Sequence, residues 1–312
     1  MAKSRTGRKK QSKSSFGSKQ ILIIVVVSIT IFGLLYLTRQ LAGGTVQLTH
    51  VHGLSFSSDG RQLFVPAHDG LVVYEGNQWQ VPNLPVHDYM GYSGTDAGFY
   101  SSGHPDPGSN LVNPLGLVRS TDGGENIQTL AFAGETDFHL MNAGYENHAI
   151  YVLNPVQNSQ LSPGLHYTLD EGQTWTQSAG QGISGNPLQL AVHPTEANTV
   201  ALATEGGLFL SHDYGDSFVQ IGNLVPVSSV SFDPNGARLL FGYQSLLSYT
   251  LADAQISPIE TPTVGNQDAL GYIAVNPVTG QIAIATFNRD IYLSPDRGQS
   301  WRIIAEDGIG KN

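Results

Sequence analysis

The sequence predicts an all-β protein built from a repeated unit, and three observations predict it. Short Val, Ile, Leu, Phe and Tyr runs alternate with Gly, Asn, Asp and Ser clusters, in a chain with 36 Gly and 16 Pro, which is the pattern of short strands and tight turns. One eight-residue motif recurs four times at related spacings. The 312 residues are 40% hydrophobic, enough for a substantial core.

The N-terminus precedes the repeats. Residues 1–20 carry Lys3, Arg5, Arg8, Lys9, Lys10, Lys13 and Lys19 and no acidic residue, and "ILIIVVVSITIFGLLYLT" fills 21–38. That run exceeds the usual signal-peptide core and sits at the lower edge of what spans a bilayer as a helix. It has no polar face, which argues against a core helix, and "LAGG" at 41–44 is the nearest approach to a cleavage site. The expectation is a single-pass signal anchor in the lipid bilayer, with residues 1–20 a cytoplasmic tail, 39–49 a linker and the remainder extracellular.

Charge divides at the same boundary. Eight of the 15 Lys and Arg lie at or before Arg39, leaving seven against all 25 Asp and Glu, a formal −18 for the outer part. This excludes a nucleic-acid partner, which needs basic side chains against phosphate, and favours cations. Without cysteine there is no disulfide framework and no thiolate chemistry.

The repeated motif is "STDGGENI" (120–127), "TLDEGQTW" (168–175), "SHDYGDSF" (211–218) and "SPDRGQSW" (294–301). Its aspartates, Asp122, Asp170, Asp213 and Asp296, are 48, 43 and 83 residues apart. The last interval is about double the others and places a degenerate copy near "LSYTLADAQ", 247–255; another precedes the first copy, at "YEGNQW". The motif resembles the Asp-box, or BNR, repeat of sialidase-like and sortilin-like β-propellers and of photosystem II assembly factors. The resemblance extends to membrane-anchored bacterial proteins labelled glycosyl-hydrolase-like. It implies a β-propeller over residues 50–307, followed by a tail at 308–312. At about 42 residues per unit the span holds six blades of four strands. In blade four, for example, "PLQLAVHP", "TVALATE", "GLFLSHD" and "FVQIG" run from inner to outer strand. Whether "TVQLTH" closes the ring stays open. The repeat does not fix a function, since glycosidases, receptors and assembly factors share it.

Every part of the box has a folding role. The Asp accepts hydrogen bonds from its own loop, Gly supplies positive φ, the hydroxyl adds a local bond, and the terminal Trp, Phe or Ile packs on the sheet. A calcium loop is excluded, because the alternating oxygen ligands and terminal Glu are missing. The boxes therefore mark one face, and chemistry is sought on the other.

Inner strands start, and second strands end, on that opposite face. The positions there are His52, His68 and Asp69 in blade one, Asp88 and His104 in blade two, Asp137 and His139 in blade three, Glu205 in blade four, and Asn288 with Arg289 in blade six. His50 and His87 lie beside them. Imidazoles and carboxylates together suit a divalent transition metal, with His52, His68, His104 and His139 as candidate ligands. The other two possibilities are a metal-free glycan or peptide site and a set of loop-capping hydrogen bonds.

A true sialidase is excluded because only Arg289 of the outer arginines maps to this rim. Another glycoside hydrolase would use two carboxylates from Asp69, Asp88, Asp137 and Glu205, with Asp88, Asp137 and Glu205 the catalytic candidates. No nucleophile elbow or phosphate loop occurs. The favoured expectation is a tethered module that binds a glycan, peptide or protein at the rim. Tyr89, Tyr92, Phe99, Tyr100 and Phe138 are candidate contact aromatics. One equivalent of metal is expected, lost on substituting His104 or His139.

Overall fold

Apolar residues alternating over runs of five or six, each stopped by a turn bearing Gly or Asp, pair as antiparallel strands because one face of each must be covered. A computed structural model describes residues 46–311. The tail, anchor and most of the linker expected at 1–45 lie outside these residues. Among the described residues no helix is long and apolar enough to cross a membrane.

The strands form six sheets in sequence order. Blade one comprises Ser55–Phe56, Gln62–Ala67, Gly70–Glu75 and Gln78–Gln80. Blade two comprises Asp88–Thr95, Gly98–His104, Leu117–Ser120 and Gln128–Ala131, and blade three Met141–Ala143, Ile150–Asn154, Gly164–Thr168 and Thr176–Gln177. Blade four is Pro187–Val192, Val200–Thr204, Gly207–Ser211 and Val219–Ile221; blade five is Ser229–Phe232, Arg238–Gly242, Leu246–Thr250 and Gln255–Ile259. Blade six has Leu270–Val275, Ile282–Thr286, Ile291–Ser294, Arg302–Glu306 and a fifth strand, Ile309–Gly310. The first strand of each blade touches that of the next, and blade six touches blade one. The fold is a closed six-bladed β-propeller.

The core is divided among the seams between blades. Leu71, Tyr89, Tyr92 and Phe99 fill the first seam, Tyr100, Phe138 and Ile150 the second, and Val46, Leu48, Trp79 and Ile304 the sixth. Strands buried on both faces, such as Val200–Thr204, are apolar for this reason in all but their last residue, Thr204. The five aromatics expected as rim contacts are thus a correction: Tyr89, Tyr92, Phe99, Tyr100 and Phe138 are all buried. They sit on or beside inner and second strands, where neighbouring blades cover them.

The boxes have the expected geometry. Asp170 Oδ1 accepts the Thr174 N–H at 2.8 Å, and Thr168 Oγ1 accepts the Gly172 N–H at 2.9 Å. Asp122, Asp213 and Asp296 repeat this on Asn126, Ser217 and Ser300. Bonds from the Thr174 hydroxyl and N–H hold the Asp170 carboxyl down at about 2, so it is an anion at neutral pH. Trp175, Phe218 and Trp301 each stand just before the outer strand and pack in a seam.

Closure uses residues at both margins of the expected propeller. Gln47 pairs antiparallel with Ile309, the Gly310 N–H bonds Val46 O at 2.8 Å, and the Leu48 N–H bonds Gly308 O at 2.6 Å. Residues 46–48, expected in a linker, and 309–310, expected in a tail, therefore extend the sheet of blade six.

Candidate metal centre

The face opposite the boxes carries the turns between second and third strands and the crossovers from each outer strand to the next inner one. Asp88 opens the inner strand of blade two and pairs in register with His104, which ends the second strand. Gly103 permits that pairing: at φ +121°, a Cβ would stand 2.0 Å from the Asp88 carbonyl oxygen. Although adjacent in one sheet, the two side chains serve different seams.

Asp88 reaches back to blade one. Its Oδ2 lies 2.7 Å from His68 Nδ1 in a hydrogen bond, and its Oδ1 lies 3.3 Å from His52 Nε2. Among the described residues, His52, His68 and Asp88 are the one group of three His, Asp or Glu side chains offering ligand atoms all within 4.8 Å of one another. The Asp88 side chain is 11% exposed, that of His52 15% and that of His68 60%, so the group is buried on one side and open on the other. His52 Nε2 and Asp88 Oδ1 are both buried and neither makes a hydrogen bond. Leaving two such atoms unpaired costs about 1–3 kcal/mol each. Their 3.3 Å separation equals the ligand–ligand edge of a tetrahedral site with bonds of about 2.0–2.1 Å. Burial lowers the pKa of His52 against the raising effect of Asp88, and His50, His68 and His139 lower it further. The imidazole is consequently neutral at pH 7, the form that ligates a metal. His50 packs edge-on to His52 and His68, at ring separations of 6.0 and 6.5 Å.

His104 reaches forward to blade three. Its Nε2 lies 3.3 Å from Asp137 Oδ2, and His139 Nε2 lies 2.9 Å from the same oxygen. The four histidines expected around one ion are thus parted into two sets, each centred on a carboxylate, because Asp88 and Asp137 occupy successive seams. His52 and His139 both line the central channel, a cavity of about 150 Å³ whose wall also includes Tyr92, Met141, Asn142 and Gln189.

The remaining expected residues fall elsewhere. Glu205 accepts a bond from Asn186 Nδ2 at 2.8 Å and belongs to neither set. Asp69 accepts the Thr49 hydroxyl, and Arg289 donates to Thr49 O. The Asn288 N–H bonds Asp268 Oδ1. His87 is an anchor for a loop: its Nδ1 accepts the Asp106 N–H at 2.8 Å, and burial lowers its pKa. Asn113 escaped notice in the sequence. Its Oδ1 lies 2.7 Å from His104 Nδ1, but it sits in the irregular loop between His104 and Leu117, where no periodicity marks it.

No protein-family profile matches the sequence, nor does any curated protein. Solved structures of similar fold include a GH74 xyloglucanase from Xanthomonas campestris, 15% identical with a TM-score of 0.53, and a GH74 enzyme from Niastella koreensis, 14% identical with a TM-score of 0.57. The similarity covers 84% of this chain in both cases and 46% of each enzyme. A gluconolactonase from Xanthomonas campestris is 12% identical with a TM-score of 0.58, over 80% of this chain and 87% of that one. At such identities the likeness is one of fold.

Proposed function

We propose that this chain is a membrane-tethered, extracytoplasmic β-propeller that binds a ligand or partner at the rim opposite its Asp boxes, through a divalent transition metal held by His52, His68 and Asp88. The observation that carries this is the buried pair His52 Nε2 and Asp88 Oδ1, 3.3 Å apart and without hydrogen bonds. A cation between them satisfies both. Three protein ligands would leave a fourth position for an incoming group, and His68 is the exposed member of the set, at 60%. The tether rests on the basic tail and the apolar run at 21–38.

Binding of a macromolecular partner draws support from the apolar residues around the rim. Val86, Val112, Val156 and Phe287 lie in loops of this face and are 49, 59, 68 and 61% exposed. Exposed apolar groups encircling a polar centre are a feature of interaction surfaces.

Hydrolysis of a glycan by Asp88, Asp137 and Glu205 draws on the fold shared with GH74 enzymes. It is the weaker proposal, since Asp88 and Asp137 are each held by two imidazoles and Glu205 is bonded to Asn186. A glycosidase needs two carboxylates free to face one bond.

Metal analysis of the full chain, equilibrated with Zn²⁺ and then freed of excess, tests the proposal. Asp88→Asn is expected to lose one equivalent, and His68→Gln to weaken that site by at least tenfold. A metal content unchanged in Asp88→Asn overturns the metal site. Cleavage of xyloglucan by metal-free protein would instead favour the hydrolase.

A further inference from the structure

His52 and His68 reach Asp88 from a short antiparallel ladder at the rim end of blade one. The His52 N–H donates to Pro66 O at 2.9 Å, Val51 bridges to Ala67, and the His68 N–H donates to His50 O at 3.2 Å. Residues 50–52 continue the stretch that closes the ring on blade six, where Gln47 bridges to Ile309 and the Leu48 N–H bonds Gly308 O. Thr49 stands between the two tasks. Its carbonyl oxygen accepts a bond from Arg289 Nη1 of blade six at 3.1 Å, and its hydroxyl donates to Oδ2 of Asp69, the residue after His68, at 2.9 Å.

The fold holds Arg289 for this bond. It is the third residue of the turn between Ile282–Thr286 and Ile291–Ser294, at φ +71°, a conformation that a side chain other than glycine adopts at a cost. Its N–H donates to Thr286 O at 2.9 Å, and its carbonyl oxygen accepts the Gly308 N–H at 3.2 Å. The side chain lies over Gly308: a Cβ added there would stand 3.3 Å from Arg289 Cδ and Nε, and 2.4 Å from Leu48 O. The guanidinium bonds two main-chain oxygens, Thr49 O and, at 3.3 Å, Asn288 O. A cation spent on carbonyls in this way fixes backbone rather than balancing a charge.

We infer that Arg289 is a positioning residue for the metal centre: by fixing Thr49 it holds the stretch that carries His52 in place against Asp88, so that ring closure on blade six and metal binding at blade one favour each other. The inference rests on a metal bound by His52, His68 and Asp88, and concerns a residue outside that ligand group. The bond from Thr49 to Asp69 ties the turn bearing His68 to the same point. Groups beyond the ligands set affinity because they decide how closely the ligand atoms keep the geometry an ion requires. The coupling is reciprocal: whatever loosens Thr49 weakens the metal, and the metal in turn resists that loosening.

The Zn²⁺ affinity of the full chain, measured in competition with a chromophoric chelator, tests this, with Arg302→Ala as the control. Arg302 also joins blade six to blade one, through Nη2 to Asn77 Oδ1 at 2.6 Å, but at the box face. Arg289→Ala is expected to keep one equivalent and to bind it about tenfold more weakly, the lower end of what removing a group that orients a metal ligand costs. Thr49→Val, which removes only the bond to Asp69, is expected to weaken it by a smaller factor, and Arg302→Ala to bind as the native chain does. The rise in Tm on adding Zn²⁺ should accordingly be smaller in Arg289→Ala than in the native chain and unaltered in Arg302→Ala. Native affinity in Arg289→Ala, or equal losses in Arg289→Ala and Arg302→Ala, overturns the positioning role and leaves the metal centre standing. A native chain that takes up no Zn²⁺ overturns both. Should circular dichroism show Arg289→Ala unfolded, Arg289→Lys and Thr49→Val decide, and native affinity in the two of them overturns the inference.

Discussion

Glu171 shows how one residue of a turn acquires a second role. It occupies the box of blade three at φ 56°, and its carboxylate accepts bonds from Tyr100 Oη at 2.6 Å and Arg119 Nη1 at 2.5 Å, both from blade two. Burial opposes its ionisation, but the bonds from Tyr100 and Arg119 outweigh this and hold its pKa below the usual range. The folded pKa is lowered, so the stability Glu171 contributes is present above the unfolded carboxyl value and is lost as pH falls through the folded one. Glu171→Ala is expected to cost about 1–2 kcal/mol at pH 7, since charge-assisted bonds are discounted here for partial exposure. Thermal unfolding of the two proteins from pH 7 to pH 3 checks this: their difference should shrink below about pH 4.5. A difference independent of pH would mean that the residue acts through packing or backbone strain alone.

At the scale of elements, the box is a seam contact as well as a turn. Its glycine faces the preceding blade each time: a Cβ on Gly172 would meet Leu117 and Ala131, one on Gly215 would meet Leu165, and one on Gly298 would stand 2.2 Å from Ile259 Cγ2. The Trp301 indole donates to Glu260 O across the same seam. Gly298→Ala therefore combines a left-handed φ of +94° with a steric clash, whereas Gly123→Ala, at φ +73°, meets nothing within 4 Å. Melting temperatures are expected to fall for both, by more than about 1 kcal/mol equivalent for Gly298→Ala and by less for Gly123→Ala. Equal losses would remove the seam contact from the account. The boxes were legible in the sequence because their hydrogen bonds close within eight residues, so the composition of each window carries the whole motif. The rim was legible only as a face. Strand direction, which the boxes fix, brought His52, His68, Asp88, His104, Asp137 and His139 to one side. It did not say that Asp88 turns toward blade one while His104 turns toward blade three, because that depends on lateral packing between sheets. The single ion expected among four histidines reflects that gap, as does the placement of buried aromatics at the rim.

At the scale of the molecule, a propeller is stable as a ring only if its last seam is as well packed as the others, because an open ring would leave two apolar blade faces in water. Here the last seam joins residues separated by almost the whole described chain. Val46, Leu48 and Trp79 pack with Ile304 and Ala305, and the Trp79 indole donates to Ile304 O at 2.7 Å. The strand Ile309–Gly310 is only two residues long and its partner is a bridge at Gln47, too short for alternation to announce either. Leu48 is fully buried and Ile309 is 50% exposed, which makes them a matched test of closure within one pairing. Leu48→Ala is expected to cost about 2–5 kcal/mol through the cavity it leaves, whereas Ile309→Ala should change stability by about 0.5 kcal/mol or less. For a domain of this size the first corresponds to a fall of roughly 5–15 °C in Tm. If closure couples all six blades, calorimetry should show the Leu48→Ala loss as a displacement of one transition, with calorimetric and van't Hoff enthalpies still equal. An early separate transition, with the main one unmoved, would show instead that blades one and six open without the rest and that the ring is held by its other five seams.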